Sequence, residues 1–103
     1  MNAFTRNEQQ AISRAVLEID VKNHPGVMSH VVGLFSRRAY NVDGIVCLPV
    51  GNGEQSRIWL LVNEDKRLSQ MIKQLEKLED VIVVRRHDAD HAVFCEVERF
   101  FAC

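Results

Sequence analysis

Apolar residues recur along the chain with two spacings, one typical of strands and one typical of helices. Residues 15–22 alternate between apolar and charged side chains, which predicts a half-buried strand. Over 27–39 and 66–78, apolar residues recur every three or four positions, which predicts two helices with one apolar stripe each. Shorter apolar runs predict three further strands, at 42–50, 56–62 and 81–84.

The order strand, helix, strand, strand, helix, strand limits the fold. A helix with a single apolar stripe buries that stripe against one face of a sheet. The order therefore predicts the α+β class, as a ferredoxin-like βαββαβ arrangement of a four-stranded antiparallel sheet with two helices on one face. Residues 51–53, Gly-Asn-Gly, can supply positive φ angles for a hairpin, and Asn63 or Asp65 can cap the second helix.

The chain divides into three parts. Residues 15–87 hold the six predicted elements and form one domain. Residues 1–14 are polar and weakly patterned, so we expect a flexible N-terminal arm that lacks the apolar core of a secretory signal. Residues 88–103 form a C-terminal tail whose apolar residues can build a short helix.

Composition argues against several function classes. The formal net charge of −1 gives no general attraction to nucleic acid or to an anionic membrane surface. No apolar run approaches the roughly 20 residues of a membrane span. Cys47, Cys95 and Cys103 are odd in number and widely spaced, which indicates reduced thiols in a cytoplasmic protein and no disulfide framework.

The turn at residues 23–28, Asn-His-Pro-Gly-Val-Met, connects the first strand to the first helix. The first backbone N–H groups of a helix have no partner within the helix, and the helix dipole makes that end electropositive. Gly26 has no Cβ to hold a ligand away from these groups, so the turn suits a small anion such as a carboxylate or a phosphate. Taken alone, these residues are explained more simply as a strand-to-helix turn formed by Pro25 and Gly26. In this interpretation Asn23 satisfies a local N–H group.

Asn41 follows the first helix and opens the second strand. Taken alone, it is best explained as a cap at the C-terminus of that helix, because Asn tolerates the left-handed conformation. Asn41 and the turn lie at opposite ends of the helix, so one chain cannot close both around one small ligand. A symmetric homodimer can do so, with Asn23 and Gly26 of one chain facing Asn41 of the other.

Patterns that indicate catalysis or metal binding are weak. No serine lies in a nucleophile-elbow sequence, and the chain has no phosphate loop or dinucleotide fingerprint. His87 and His91 are four residues apart, a spacing that suits a metal only on a helix, and they follow a strand. We interpret His24 as a turn residue, with a hydrogen bond at the loop as the alternative, and Glu76, Glu79 and Asp80 as a solvated helix end.

RNA-recognition motifs share this order of strands and helices, and they stack bases on aromatic side chains of the sheet. The third strand of this chain has one tryptophan, Trp59, among aliphatic residues, and it lacks an aromatic-glycine-aromatic pattern. Trp59 is therefore more simply explained as a core or interface residue, and we predict no binding of nucleic acid.

Together these features resemble the ACT domain, a small-molecule sensor module of amino-acid metabolism. Within that group the chain is most similar to the small regulatory subunits of acetohydroxyacid synthase (acetolactate synthase), of the short isozyme I type. The resemblance covers about residues 15–87. It is carried by the segments NHPGVM at 23–28, GLFSRRAYNV at 33–42, CLP at 47–49, IWLLVN at 58–63 and LEDV at 78–81.

The resemblance implies a non-catalytic subunit that binds and activates the catalytic large subunit and confers feedback inhibition by L-valine in branched-chain amino-acid biosynthesis. Thiamine diphosphate, FAD and magnesium would belong to that partner, and none of them to this chain. Carried over by position, the valine contacts are Asn23, Gly26, Val27 and Met28, with Asn41 from the neighbouring protomer. On this basis a Cβ at Gly26 is expected to intrude on the ligand.

Two other functions remain open. A stand-alone ACT-type sensor would act on another enzyme or regulator, and co-purification with a large flavin-binding subunit would separate it from a regulatory subunit. A small enzyme on the same scaffold, such as an acyl-phosphate hydrolase, would need an arginine in its phosphate loop, where this chain has His24.

Overall fold

The computed structural model describes residues 13–101, which form four strands and three helices. The strands are β1 (Arg14–Lys22), β2 (Val42–Val50), β3 (Gln55–Asn63) and β4 (Val81–Asp88). The helices are α1 (Val27–Arg37), α2 (Leu68–Glu76) and α3 (Ala92–Glu98). The predicted N-terminal arm at 1–14 lies outside the described residues except for its last two, and β1 begins at the second of these.

The four strands form one antiparallel sheet in the order β2-β3-β1-β4. β1 is central, and its register sets Ile19 opposite Ile58 of β3 and Val84 of β4. α1 and α2 pack against one face of this sheet, and the predicted ferredoxin-like α+β fold is confirmed.

The core lies between that face and the two helices. β1 supplies every second residue to it, as the alternating pattern predicted. The core cluster contains Ala15, Leu17, Ile19 and Val21 of β1, Ile58, Leu60 and Val62 of β3, Val27, Val31, Leu34 and Phe35 of α1, and Leu68, Met71 and Leu75 of α2. Because the first residue of α1 belongs to this cluster, the N-terminus of α1 is fixed at the end of β1.

α1 ends two residues earlier than predicted, because Ala39 adopts a φ of 53°, the left-handed conformation that closes a helix. The backbone N–H of Ala39 donates to the carbonyl of Ser36 at 3.0 Å, and that of Tyr40 donates to the carbonyl of Phe35 at 2.9 Å. The sequence interpretation of Asn41 as the helix cap was therefore wrong, since the C-cap is Arg38 and the left-handed residue after it is Ala39.

β4 extends to Asp88, four residues beyond the predicted strand at 81–84. Its register pairs Arg85 with Glu18 and His87 with Val16 on β1. Charged residues continue the strand because they find oppositely charged partners across the sheet, which an apolar pattern alone does not reveal.

The face of the sheet away from α1 and α2 is partly covered by α3, which lies in the C-terminal tail. The ring of Phe94 packs over Gly44 of β2, and Phe94 is only 6 % exposed. Val16, on the same face, is fully buried. α3 is therefore docked on the sheet through an apolar contact of its own.

Candidate functional site

The turn that enters α1 exposes unpaired backbone donors. Gly26 caps the helix with φ of 88° and ψ of −13°, and no side chain caps it. The N–H of Val27 donates to the carbonyl of His24 at 3.4 Å, and that of His30 donates to the carbonyl of Gly26 at 3.1 Å. Of the residues from 13 to 101, none accepts from the N–H of Met28, the second residue of α1. The backbone N–H of Ser29 likewise has no acceptor among these residues. The start of α1 therefore has two N–H groups that can donate to an anion.

Asn23 forms hydrogen bonds that hold the turn against the hairpin between β2 and β3. Its side-chain Nδ2 donates to the carbonyl of Gly53 at 2.8 Å, and its backbone N–H donates to the carbonyl of Glu54 at 3.0 Å. The simpler interpretation, in which Asn23 satisfies a local N–H group, was therefore wrong. Since Nδ2 is engaged, the side chain offers its Oδ1 oxygen, which can accept from a ligand ammonium.

His24 forms an ion pair with Asp80, which lies just before β4, and this contact holds the turn from the other side. Nε2 of His24 is 2.7 Å from Oδ1 of Asp80, and Nδ1 is 2.9 Å from the carbonyl oxygen of Pro25. Nδ1 of His30 is 3.8 Å from the second carboxylate oxygen of Asp80. Both ring nitrogens of His24 face acceptors, which suits the protonated imidazole.

The charges of His24 and Asp80 stabilise each other. The hydrogen bond to Asp80, followed by the one to the Pro25 carbonyl, raises the pKa of His24 above its usual value. The same hydrogen bond lowers the pKa of the Asp80 carboxyl. The expectation of a solvated helix end holds for the exposed Glu79, whereas the Asp80 side chain is only 17 % exposed. Sequence patterns carry no signal for this contact, which joins residues 56 positions apart.

The predicted contact residues of the helix start differ in what they can offer. Val27 is buried in the core, so it presents only its backbone, whereas Met28 is half-buried. A Cβ built on Gly26 meets no heavy atom of the chain within 4 Å. Within the single chain, the obstacle to a side chain at Gly26 is therefore its positive φ and not a steric contact.

Asn41 lies at the far end of α1, as expected. α1 has 11 residues, so its ends are about 16 Å apart. Nδ2 of Asn41 donates to Oδ1 of Asp43, and Asn41 is exposed. One chain does not bring Asn41 and Asn23 together. A cavity of 570 Å³ lies between α3 and the sheet, and Asp43 is among its lining residues, but no residue of the turn is.

A charged cluster occupies the sheet face away from α1 and α2. Glu18 and Asp20 of β1 lie between Arg57 of β3 and Arg85 of β4. Nε of Arg57 is 2.8 Å from Oδ1 of Asp20, and this hydrogen bond lowers the pKa of Asp20. The cluster satisfies buried carboxylates within the sheet, so its role is structural.

Next to this cluster, Trp59 stacks with two histidines. The ring centroid of Trp59 is 4.7 Å from that of His91 and 5.7 Å from that of His87. Nδ1 of His91 accepts from the N–H of Val93 at 3.1 Å and so caps α3. Nε2 of His87 is 2.9 Å from Oε1 of Glu18. The expectation of a core or interface position for Trp59 fits this half-buried stack, which sequence spacing did not reveal.

Between residues 13 and 101, no group of three or more His, Cys, Asp or Glu side chains is arranged to hold a metal ion. No helix in this range is long and apolar enough to cross a membrane.

Comparison with solved structures supports the fold. The small subunit of acetolactate synthase from Thermotoga maritima superposes with a TM-score of 0.65 and 25% identity, over 85% of this chain and 67% of that chain. The ACT domain of a GTP pyrophosphokinase from Chlorobium tepidum superposes with a TM-score of 0.62 over 74% of this chain and 99% of that chain. Identity to the latter is 19%, so that likeness concerns the fold alone.

Sequence comparison is more specific. Residues 17–83 match the family profile described as an AHAS small subunit-like ACT domain. The acetolactate synthase isozyme 1 small subunit of Escherichia coli K12 is 57% identical over 86 residues, which cover 84% of this chain and 90% of that protein. The isozyme 3 small subunit of the same organism is 39% identical over 72 residues, 69% of this chain and 44% of that protein. The chain therefore belongs to the ACT-domain family of acetolactate synthase small subunits.

Proposed function

We propose that this chain is the non-catalytic regulatory subunit of an acetolactate (acetohydroxyacid) synthase, and that it binds L-valine for feedback inhibition. The observation that carries the proposal is the identity of 57% to the Escherichia coli isozyme 1 small subunit, which extends over nearly the full length of both chains. In this proposal the chain activates a catalytic large subunit, and the thiamine diphosphate, FAD and magnesium of the reaction belong to that subunit.

The turn before α1 supports an amino acid as the ligand. The carboxylate of valine would accept from the N–H groups of Met28 and Ser29, at the electropositive end of the helix. The ammonium would donate to Oδ1 of Asn23, because Nδ2 of that side chain is held by the carbonyl of Gly53. Asn41 of a second copy has its Nδ2 on Asp43 in the same way, so its Oδ1 oxygen would be a second acceptor.

The distance between the two halves of this site supports a homodimer. Asn23 and Asn41 lie at opposite ends of a helix about 16 Å long, and valine spans much less than that. An isologous pair of chains with α1 helices antiparallel across the two-fold axis would bring the turn of one chain to Asn41 of the other, twice. Bound valine would then favour one dimer geometry, which the catalytic subunit would detect. By linkage, the inhibited state of the complex would bind valine more tightly.

Thermal unfolding of the purified chain tests the ligand. L-valine at 100 times its Kd would add about 2.7 kcal/mol of stability, which raises the Tm of a domain of this size by roughly 10–20 °C. Isoleucine and leucine differ by a methylene, and a pocket distinguishes such ligands by about 1–3 kcal/mol, so they would raise the Tm less. D-valine is the control, since it has the same charges and apolar surface with the opposite chirality. An equal shift with D-valine would refute a specific site.

Side-chain variants test the assignment of residues. Asn41→Ala would weaken L-valine binding, whereas the unfolding of the ligand-free chain would stay nearly unchanged, because Asn41 is exposed. Gln70→Ala is the control, since it removes an exposed side-chain amide on α2 that is not among the proposed ligand contacts. Wild-type valine affinity in a folded, dimeric Asn41→Ala variant would exclude Asn41 from the site.

Co-purification tests the partner. A tagged copy of this chain, expressed in cells that also produce an acetolactate synthase large subunit, would retain that subunit and raise its turnover. Addition of L-valine would then lower the turnover of the complex. Binding of L-valine by a chain that neither retains nor activates the large subunit would favour the alternative, a stand-alone sensor.

A further inference from the structure

The segment that enters α1 is held from two sides by contacts of different kinds. On one side, neutral hydrogen bonds from Asn23 reach the carbonyls of Gly53 and Glu54 in the β2–β3 hairpin. On the other side, His24 reaches the carboxylate of Asp80 at 2.7 Å. The second tether includes a group that titrates near neutral pH, whereas the first does not.

We propose that His24 and Asp80 are positioning residues of the ligand turn, and that their contact makes the affinity for the amino acid fall as His24 loses its proton. The proposal rests on the proposed function, because it concerns the regulation of the same site. Neither side chain is assigned a contact with the ligand. They act by holding the backbone of the turn in the conformation that exposes the donors at the start of α1.

Asp80 is well placed to fix the turn. Its backbone carbonyl accepts from the N–H of Lys22 at 2.9 Å, which ties Asp80 to the end of β1. Its side chain is mostly buried, whereas the His24 side chain is 41 % exposed. Asp80 therefore belongs to the scaffold, and the movable partner is His24, two residues before the glycine that caps α1. Loss of the contact frees the turn without removing any apolar packing.

Two charged or titratable groups face the pair from the surrounding elements, Lys22 and His30. Lys22, at the end of β1, opposes the protonated form of His24 by charge repulsion and favours the ionised form of Asp80. His30, on the second turn of α1, lies 3.8 Å from Asp80 and is 65 % exposed. Asp80 remains the largest influence on His24, because it forms the direct hydrogen bond.

The direction of the pH effect follows from these contacts. The pKa of His24 in the folded chain is raised above about 6.5, so the charged contact contributes fully below that pH. As the pH rises through the raised value, the ring loses its charge and can no longer donate to both Asp80 and the Pro25 carbonyl. The pKa of Asp80 is lowered, so its carboxylate stays ionised throughout this range and the contact weakens again only in acid. The tether is therefore strongest between the lowered pKa of Asp80 and the raised pKa of His24.

The expected effect on affinity is moderate. When only a fraction of the chains has the competent turn, the apparent Kd rises by the inverse of that fraction. Exposed ion pairs change equilibria by up to about five-fold, so we expect the apparent Kd for L-valine to increase by up to about five-fold when the tether is lost. The global stability of the domain would change little, because the core does not include these side chains.

Calorimetric titration of the full chain with L-valine between about pH 6 and about pH 8.5 tests the proposal. In the wild type the Kd should rise with pH through the titration of His24. In Asp80→Asn and in His24→Gln the Kd should be raised at the lower pH and should no longer depend on pH. His30→Gln is the matched control, since it removes a neighbouring histidine that makes no hydrogen bond to Asp80, and it should keep the wild-type slope.

The outcomes separate this inference from the function on which it rests. A Kd for L-valine that has the same pH slope in the wild type and in Asp80→Asn would overturn the positioning role and leave the valine site intact. A slope that disappears in His30→Gln instead would also overturn it, because the titrating group would then be His30. No binding of L-valine by any variant at any pH, alone or with the large subunit, would overturn the proposed function and this inference together.

Discussion

Gly44 lies where β2 passes beneath the ring of Phe94, and this contact decides whether α3 stays docked on the sheet. A Cβ added at Gly44 would lie 2.7 Å from Cε1 of Phe94 and 3.2 Å from Cδ1. Carbon atoms in contact normally lie about 3.5–4.0 Å apart, so Gly44→Ala forces either the strand or the ring to move by nearly 1 Å. β2 is held to β3 along its length, whereas α3 is a seven-residue helix. We therefore expect α3 to move.

Two opposing terms set the magnitude. Overpacking of a well-packed contact costs about 1–3 kcal/mol. In the other direction, Gly→Ala at a compatible φ stabilises a chain by about 0.4–1 kcal/mol, because it restricts the unfolded state. Gly44 is not among the residues with positive φ, so its backbone suits alanine. The expected net effect of Gly44→Ala is a loss of about 0.5–2 kcal/mol in the free energy of unfolding.

A double-mutant cycle with Phe94→Ala isolates the contact. In the Phe94→Ala background the ring is absent, so Gly44→Ala should become neutral or slightly stabilising, and the coupling energy should be about 1–3 kcal/mol. Urea denaturation measures the four free energies. Trp59 is the single tryptophan of the chain, and it stacks on the histidine that caps α3. Its fluorescence in the native state therefore reports on displacement of α3.

Additivity of the two substitutions within about 0.5 kcal/mol would contradict this expectation, since Gly44→Ala would then act without contact with Phe94. Unchanged fluorescence of Trp59 in Gly44→Ala would also contradict it, because α3 would then have kept its place. A global loss of structure is excluded by far-UV circular dichroism of the same variant.

Three further changes have defined expectations. Tyr40→Phe should lower the free energy of unfolding by about 1 kcal/mol in urea denaturation, because the hydroxyl of Tyr40 donates to the carbonyl of Asn63 at 2.5 Å; an unchanged midpoint would contradict this. Ala39→Gly should raise the stability by roughly 0.5–1 kcal/mol, since Ala39 is held at a φ of 53° that favours glycine, and a lower Tm would count against it. In Asp20→Asn the acid loss of stability should become shallower. The Arg57 hydrogen bond lowers the pKa of Asp20, so its contribution is present above about pH 4 and is lost as the pH falls through the lowered value; an identical acid limb in both proteins would refute this.

The sequence determined the fold through local periodicity. The alternation in residues 15–22 assigned one face of β1 to the core, and the helical spacing over 27–39 and 66–78 assigned the stripes of α1 and α2. These patterns suffice because each element must bury one face, and the order of elements then leaves few ways to do so. The turn before α1 could also be located from sequence, because glycine after proline at the start of a helix leaves backbone donors exposed.

Element boundaries depended on neighbours that a local pattern does not contain. β4 continues through charged residues because Glu18 on β1 pairs with Arg85, and the same register holds His87. The C-cap of α1 is Arg38 and the left-handed residue after it is Ala39, although the sequence favoured Asn41. The Tyr40 side chain is buried in the core, and its backbone N–H closes the helix on the carbonyl of Phe35. Here packing outweighed the intrinsic preference of asparagine.

Only the tertiary structure decided what surrounds the candidate site. The contact of His24 with Asp80, the bond from Asn23 to Gly53, and the stacking of His91 on Trp59 each join residues about 30 or more positions apart. Such contacts depend on strand register and on how the loops meet at the ends of the sheet. Periodicity specifies which face of an element is buried, but it carries no information about which polar side chain of another element lies opposite. The sequence alone could therefore locate the turn, whereas the contacts that hold it required the tertiary structure.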